Sequence, residues 1–197
     1  MTARTSHILL ILSAFLAGLV IFLGVILFAG HYQGTGPGGS AIGGPFKLID
    51  QDGKTITDQD MKGRPFLVFF GYTHCPDICP TTLFEVSEVM RALGKDADHT
   101  GALFVSIDPE RDTPAVMKDY LASFDPHLRG ATGDRAAIDM AEKVYRVYAK
   151  KIPTDKDDYT MDHTALVYLM DKQGRFVAPF KLNRKPEEAA DDLRKYL

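Results

Sequence analysis

The stretch PFLVFFGYTHCPDICP, residues 65–80, decides how this chain folds. Pro65 to Phe70 is an unbroken apolar run of strand length, the pattern of a strand covered on both faces. Gly71 ends it, and the loop that follows holds both cysteines of the chain, Cys75 and Cys79. From Leu83 to Leu93, apolar residues at 83, 86, 89, 90 and 93 keep the period of an amphipathic helix, stopped by Gly94. Pro80 disfavours a helical conformation at Cys79 and suits the first helical position. The expectation is therefore Cys79 at the N-cap and residues 75–79 in a tight loop. Both sulfurs then face the positive end of a helix dipole, a setting that favours thiolate.

Working outward, Ala102 to Ile107 is a second buried strand, and Thr113 with Pro114 starts a helix running to about Phe124. Asp134 to Tyr148 carries Ile138, Ala141, Val144, Tyr145 and Tyr148 at helical spacing. Thr164–Met170 and Arg175–Phe180 read as strands joined by a DKQG turn, and Pro186–Leu197 as a closing helix. Upstream, Phe46–Asp50 and Thr55–Thr57 flank Asp52-Gly53, a hairpin signal. A βαβ unit followed by a helix, an antiparallel hairpin and a terminal helix predicts an α/β, thioredoxin-like three-layer sandwich with a mixed sheet.

Ahead of this domain, Ile8 to Gly30 is a run of 23 residues without a charge. As a helix it extends about 34 Å, against roughly 30 Å of bilayer hydrocarbon. It is too long for the apolar region of a cleaved signal peptide and lacks a good small-x-small site, so one N-terminal transmembrane helix is expected. Arg4 and the α-amino group lie before it, whereas residues 31–46 contain no Lys or Arg, which points the C-terminal domain outward. HYQGTGPGGSAIGGPF, residues 31–46, has the composition of a flexible tether. The expected organisation is a head and anchor at 1–30, a Gly-rich linker at 31–45 and one domain at 46–197. With 197 residues, 45 % hydrophobic, 25 % charged and a net charge of −3, bulk disorder and fibrous repeats are excluded, and nothing advertises nucleic-acid binding.

Two cysteines are too few for a disulfide-stapled scaffold, and this chain is long enough to bury a core without one. A bridge closing so short a loop stabilises by only about 2 kcal/mol, against about 4.7 for a 100-residue loop. Their role is chemical: dithiol redox or binding of a soft metal. Among six histidines, His7 and His31 flank the anchor, His99 and His127 lie in polar loops, and the His74 side chain should point away from Cys75. His163 differs, because it precedes the strand that in this fold runs beside the cysteine-bearing one. Cys75, Cys79 and His163 would make an S₂N site suited to copper, chiefly Cu(I), with Cu(II) also accommodated. Zinc would want a fourth ligand. Only the reduced pair can bind, so metal loading and thiol state are linked. The segment DPERDTP, residues 108–114, sits at the carboxyl end of the second strand, where α/β folds place functional groups, and its charges suit steering a partner or assisting proton transfer.

Four blocks, FGYTHCPDICPTTL, VSIDPERDTP, a Tyr-containing helix running to VYAK, and YTMDHTALVYLMDKQG, together resemble the Sco/SenC family of copper-binding proteins that assemble cytochrome c oxidase. The resemblance covers Phe46 to the C-terminal helix. It implies Cys75, Cys79 and His163 as copper ligands, Cys75 and Cys79 as a redox-active dithiol, and Asp108 as an acidic residue that helps transfer. It further implies a membrane-tethered copper chaperone that delivers copper to, or reduces the cysteines of, the binuclear copper-A site of oxidase subunit II. Further partners would be other periplasmic copper chaperones or thioredoxin-like reductases. The location would be the inner membrane with the domain in the periplasm, or in the intermembrane space of a mitochondrion. The rival is a thiol-disulfide oxidoreductase acting on partner proteins, against which stand the Cys-x₃-Cys spacing and the absence of Trp.

Overall fold

The computed structural model describes residues 15–25, 42–154 and 158–197. The chain divides into two units, Met1–Gly39 and Ser40–Leu197. In the first, residues 15–25 are helical (α1), with apolar side chains such as Phe15, Val20 and Ile21 exposed. Among the described residues no helix is long and apolar enough to cross a membrane. Both ends of the anchor expected over 8–30 lie outside the described residues, as does the tether expected over 31–45 up to residue 41.

The second unit is built on β1 (Lys47–Asp50), β2 (Thr55–Thr57), the short helix α2 (Asp58–Met61), β3 (Phe66–Gly71), α3 (Ile78–Leu93), β4 (Gly101–Ser106), α4 (Pro114–Leu121) and β5 (Leu128–Thr132). There follow α5 (Arg135–Tyr145), β6 (Ala149–Pro153), β7 (Tyr159–His163), β8 (Val167–Met170), β9 (Phe176–Pro179) and α6 (Pro186–Arg194). Seven strands form a mixed sheet in the order β2-β1-β5-β4-β3-β8-β9. The crossovers through α3 and α4 make β3, β4 and β5 parallel, whereas β8 joins β3 antiparallel.

Every residue of β3 and of β4 is buried, as expected of central strands covered on both faces. One face packs Phe69 on Phe104, with ring centroids 5.9 Å apart, and Phe104 on Tyr120 of α4 at 6.0 Å. The other packs Phe70 on Tyr145 of α5 at 5.3 Å. With α3 packed against α6 and α4 against β5, the result is the expected three-layer α/β arrangement.

The structure corrects several local expectations. The helix expected to begin at Pro80, with Cys79 as its N-cap, begins at Ile78 with Asp77 as N-cap, so Cys79 lies inside the first turn. Strand β5 was not expected: Leu128-Arg129-Gly130-Ala131-Thr132 has neither alternation nor an apolar run. Gly130 leaves room there for α4, since a Cβ would fall 2.6 Å from Leu121 Cδ1 and 3.0 Å from Met117 Cε. The helix expected to reach Tyr148 stops at Tyr145 with Arg146 in the left-handed region (φ 57°). After it, β6 and β7 form a separate two-stranded hairpin. The strand expected from Thr164 accordingly starts at Val167.

Candidate metal and dithiol site

Cys75 and Cys79 lie where the carboxyl end of β3 meets the amino end of α3. The Cys79 N–H in the first turn of α3 points at Cys75 Sγ, 3.4 Å away, so a sulfur serves as acceptor for an otherwise orphaned helix amide. Cys79 itself is fully buried and Cys75 partly exposed, and both are free thiols. The Cys79 sulfur occupies space left by Gly71, where a Cβ would fall 2.8 Å from it.

This burial modifies the expectation that both sulfurs favour thiolate. Desolvation pushes the Cys79 thiol up, and the charges of Cys75 and Asp112 push the same way. Helix-dipole stabilisation, typically 0.3–1 kcal/mol, does not offset the loss of water. Burial thus favours the thiol form at Cys79, and a cation binding this sulfur displaces its proton.

His163, the last residue of β7, places Nε2 3.8 Å from Cys79 Sγ across a separation of 84 residues. Its Nδ1 lies 3.1 Å from the carbonyl oxygen of Thr164. A carbonyl can only accept, so Nδ1 carries the proton and the Nε2 lone pair faces Cys79. Burial pushes the imidazole pKa below its ordinary value, which keeps the ring neutral, the form that binds metals. Tyr72 and Phe69 meet the ring edge-on, at centroid distances of 6.0 and 6.4 Å. Two of the three expected donors are thus in contact while Cys75 faces the helix end. Among the described residues no three His, Cys, Asp or Glu donors are already gathered into a metal cage. Two soft sulfurs and a neutral imidazole nonetheless fit copper by donor chemistry.

The loop leading to Cys75 is held by Asp112, a residue not among those expected from the sequence. Asp112 is fully buried; it accepts from the Thr73 N–H at 3.1 Å, the Thr73 hydroxyl at 2.6 Å and the Ser106 hydroxyl at 2.6 Å. Its only sequence signal was membership of the DPERDTP segment. His74 turns toward Thr73 and Asp112, as its position next to Cys75 predicts. Asp108 is also fully buried, but its carboxylate is taken by Arg111 and by the Tyr159 hydroxyl, on the strand that carries His163.

The SCO1/SenC family model matches residues 34–197. A SCO2-like protein of Rickettsia felis is 39 % identical over 155 residues, covering 78 % of this chain and 76 % of its own. The human mitochondrial SCO1 homologue is 38 % identical over 159 residues, 79 % of this chain and 53 % of its own. The copper-bound structure of Bradyrhizobium japonicum ScoI superposes with a TM-score of 0.78 at 68 % identity, over 79 % of this chain and 99 % of that one. The chain belongs to the SCO1/SenC family.

Proposed function

We propose that this protein is a membrane-anchored copper carrier that binds one copper ion through Cys75, Cys79 and His163 and serves the assembly of cytochrome c oxidase. The carrying observation is the approach of His163 Nε2 to the Cys79 sulfur at 3.8 Å, which joins the imidazole to a dithiol loop 84 residues away. Copper bound in the ScoI relative supports the choice of metal. Soft thiolates favour Cu(I), and the imidazole accommodates Cu(II). The acceptor is the binuclear copper-A site of oxidase subunit II, whose cysteines receive copper or are reduced.

Cys75, the more exposed sulfur, is the entry point for both reactions. In copper transfer an incoming thiolate replaces the Cys75 sulfur first and the buried Cys79 and His163 afterwards, so no free ion is released. In reduction, the Cys75 thiolate attacks a partner disulfide and Cys79 resolves the mixed disulfide. This chain then carries the disulfide, and the partner carries two thiols. Segment 8–30 would hold the domain at the membrane; its uncharged sequence and the helical residues 15–25 support this reading. Asp108 assists from outside the ligand set.

The test is metal content with a parallel thiol count. The anaerobically reduced protein should hold one copper per chain and the oxidised protein none. His163→Ala should lose copper while still cycling between dithiol and disulfide, whereas Cys75→Ser and Cys79→Ser lose both. Equal copper retention by the reduced and oxidised forms would overturn the assignment.

A further inference from the structure

His163 does not belong to the seven-stranded sheet; it ends the separate β6–β7 hairpin. A lone two-stranded hairpin is marginally stable in water, so the position of its last residue depends on what ties it down. Ties hold both ends of β7: beside His163 the Thr164 N–H donates to the Tyr148 carbonyl and the Tyr148 N–H to Thr164 Oγ1, each at 3.0 Å, and a charged set lies at the opposite end. The Tyr159 hydroxyl donates to Asp108 Oδ1 at 2.7 Å, and Arg111 Nη1 donates to the Tyr159 carbonyl at 3.1 Å and to Asp158 at 3.0 Å. The Arg111 guanidinium lies 3.8 Å from the centroid of the Tyr159 ring, and the Lys151 ammonium 4.6 Å from it. Arg111 Nε also binds Asp108, so one buried carboxylate holds both groups.

Side chains alternate along a strand, and Tyr159, Met161 and His163 share the less exposed face of β7. Midway, the Tyr72 hydroxyl meets Thr160 Oγ1 at 2.8 Å and accepts the Met161 N–H at 3.4 Å. Tyr72 directly follows β3, and Asp108 lies just beyond β4. The strand is therefore fixed at Tyr159 and Tyr72 by the rigid central sheet, and at its far end presents His163 to Cys79. An ordinary loop ion pair would need only Asp108 and Arg111, three residues apart. The phenol hydroxyl, 51 residues away, links the loop to the strand that carries the imidazole.

We propose that Asp108, Arg111 and Tyr159 form a latch that positions His163 against Cys79. The proposal rests on the copper reading for its consequence but not for its geometry. It assigns Asp108 a positioning role exerted through Tyr159.

The test uses the reduced full-length chain with Tyr159→Phe, which deletes one hydroxyl, and Asp108→Asn. Amide exchange over β6–β7 reads the latch, the ¹⁵N shifts of the His163 imidazole read its contact with Cys79, and copper retention reads the consequence. Exchange over β6–β7 should rise about tenfold while β3 and β4 stay protected, consistent with loss of a charge-assisted hydrogen bond. The Nε2 shift should move, and copper retention should weaken about tenfold with thiol count and disulfide cycling unchanged. Parent-like exchange and imidazole shifts in Tyr159→Phe would overturn the latch. So would raised exchange with an unmoved imidazole and unmoved copper retention, because the bonds would then be structural only. If Asp108→Asn fails to fold, Tyr159→Phe carries the test alone. If the imidazole shift moves but the parent itself retains no copper, the latch stands and the copper reading falls.

Discussion

Substituting Gly71 by Ala probes the packing that seats the buried sulfur. The new Cβ would fall 2.8 Å from Cys79 Sγ, 2.8 Å from Phe104 Cε2 and 3.2 Å from Phe69 Cε1. Favourable contacts between carbon atoms lie at about 3.5–4.0 Å, so these are short by up to about an ångström. All three neighbours are themselves buried in the core. Phe104 is held between Phe69 and Tyr120, and Cys79 has His163 beyond its sulfur. Overpacking of this kind costs about 1–3 kcal/mol. Gly71 does not have a positive φ, so alanine adds no backbone strain and its lower unfolded-state entropy returns about 0.4–1 kcal/mol. The net loss centres on about 1.3 kcal/mol and does not exceed about 2.6 kcal/mol, so the central expectation is a fall in melting temperature of about 3–5 °C for a domain of this size.

The displaced sulfur should also show: alkylation of Cys79 should speed up and copper retention fall. Gly130→Ala is the control, since its Cβ meets the flexible ends of Leu121 and Met117 on the side of α4. It should lower stability without changing thiol reactivity. Thermal melts of the reduced, metal-free proteins, with thiol-alkylation rates measured in parallel, decide the matter. A Gly71→Ala protein that melts within about 1 °C of the parent with unchanged alkylation would refute the packing argument.

Asp112→Ala should destabilise by about 2–4 kcal/mol, because two hydroxyls and the Thr73 N–H lose a buried acceptor. Urea unfolding reads the loss, and amide exchange at residues 72–75 should rise with it; an unfolding midpoint matching the parent's contradicts the assigned role. His127 has its pKa raised, first by the hydrogen bond to Asp125 and then by the one to Asp98, at 2.7 and 3.2 Å. A raised folded-state pKa gives a contribution fully present below the unfolded value of about 6.5 and lost as pH climbs through the folded value. His127→Gln should therefore lower the urea midpoint at about pH 5.5, by less than about 1 kcal/mol, and lose that effect by about pH 8.5. The same midpoint difference at both pH values would exclude the charge as its cause.

The sequence by itself determined the elements whose signals are local. The apolar run ending at Gly71, the helical period after the cysteines and the Thr113-Pro114 helix start need no distant contact to be read, and β3, α3 and α4 follow them. It also determined which donors are available, since two thiols and a histidine in these positions restrict the chemistry before any distance is known. Tertiary structure decided three other things. Strand β5 owes its place to β4 and β1 on either side, which make a strand of a segment containing Arg129 and Gly130. The β6–β7 hairpin, with Lys150 and Lys151 exposed, alternates only over Tyr159–His163 and is tied down through Tyr159 and Tyr72. The protonation of Cys79 depends on how many atoms surround its sulfur. That is a property of packing, and it overrides the helix dipole inferred from position, because removing a thiolate from water costs more than the first turn of a helix returns.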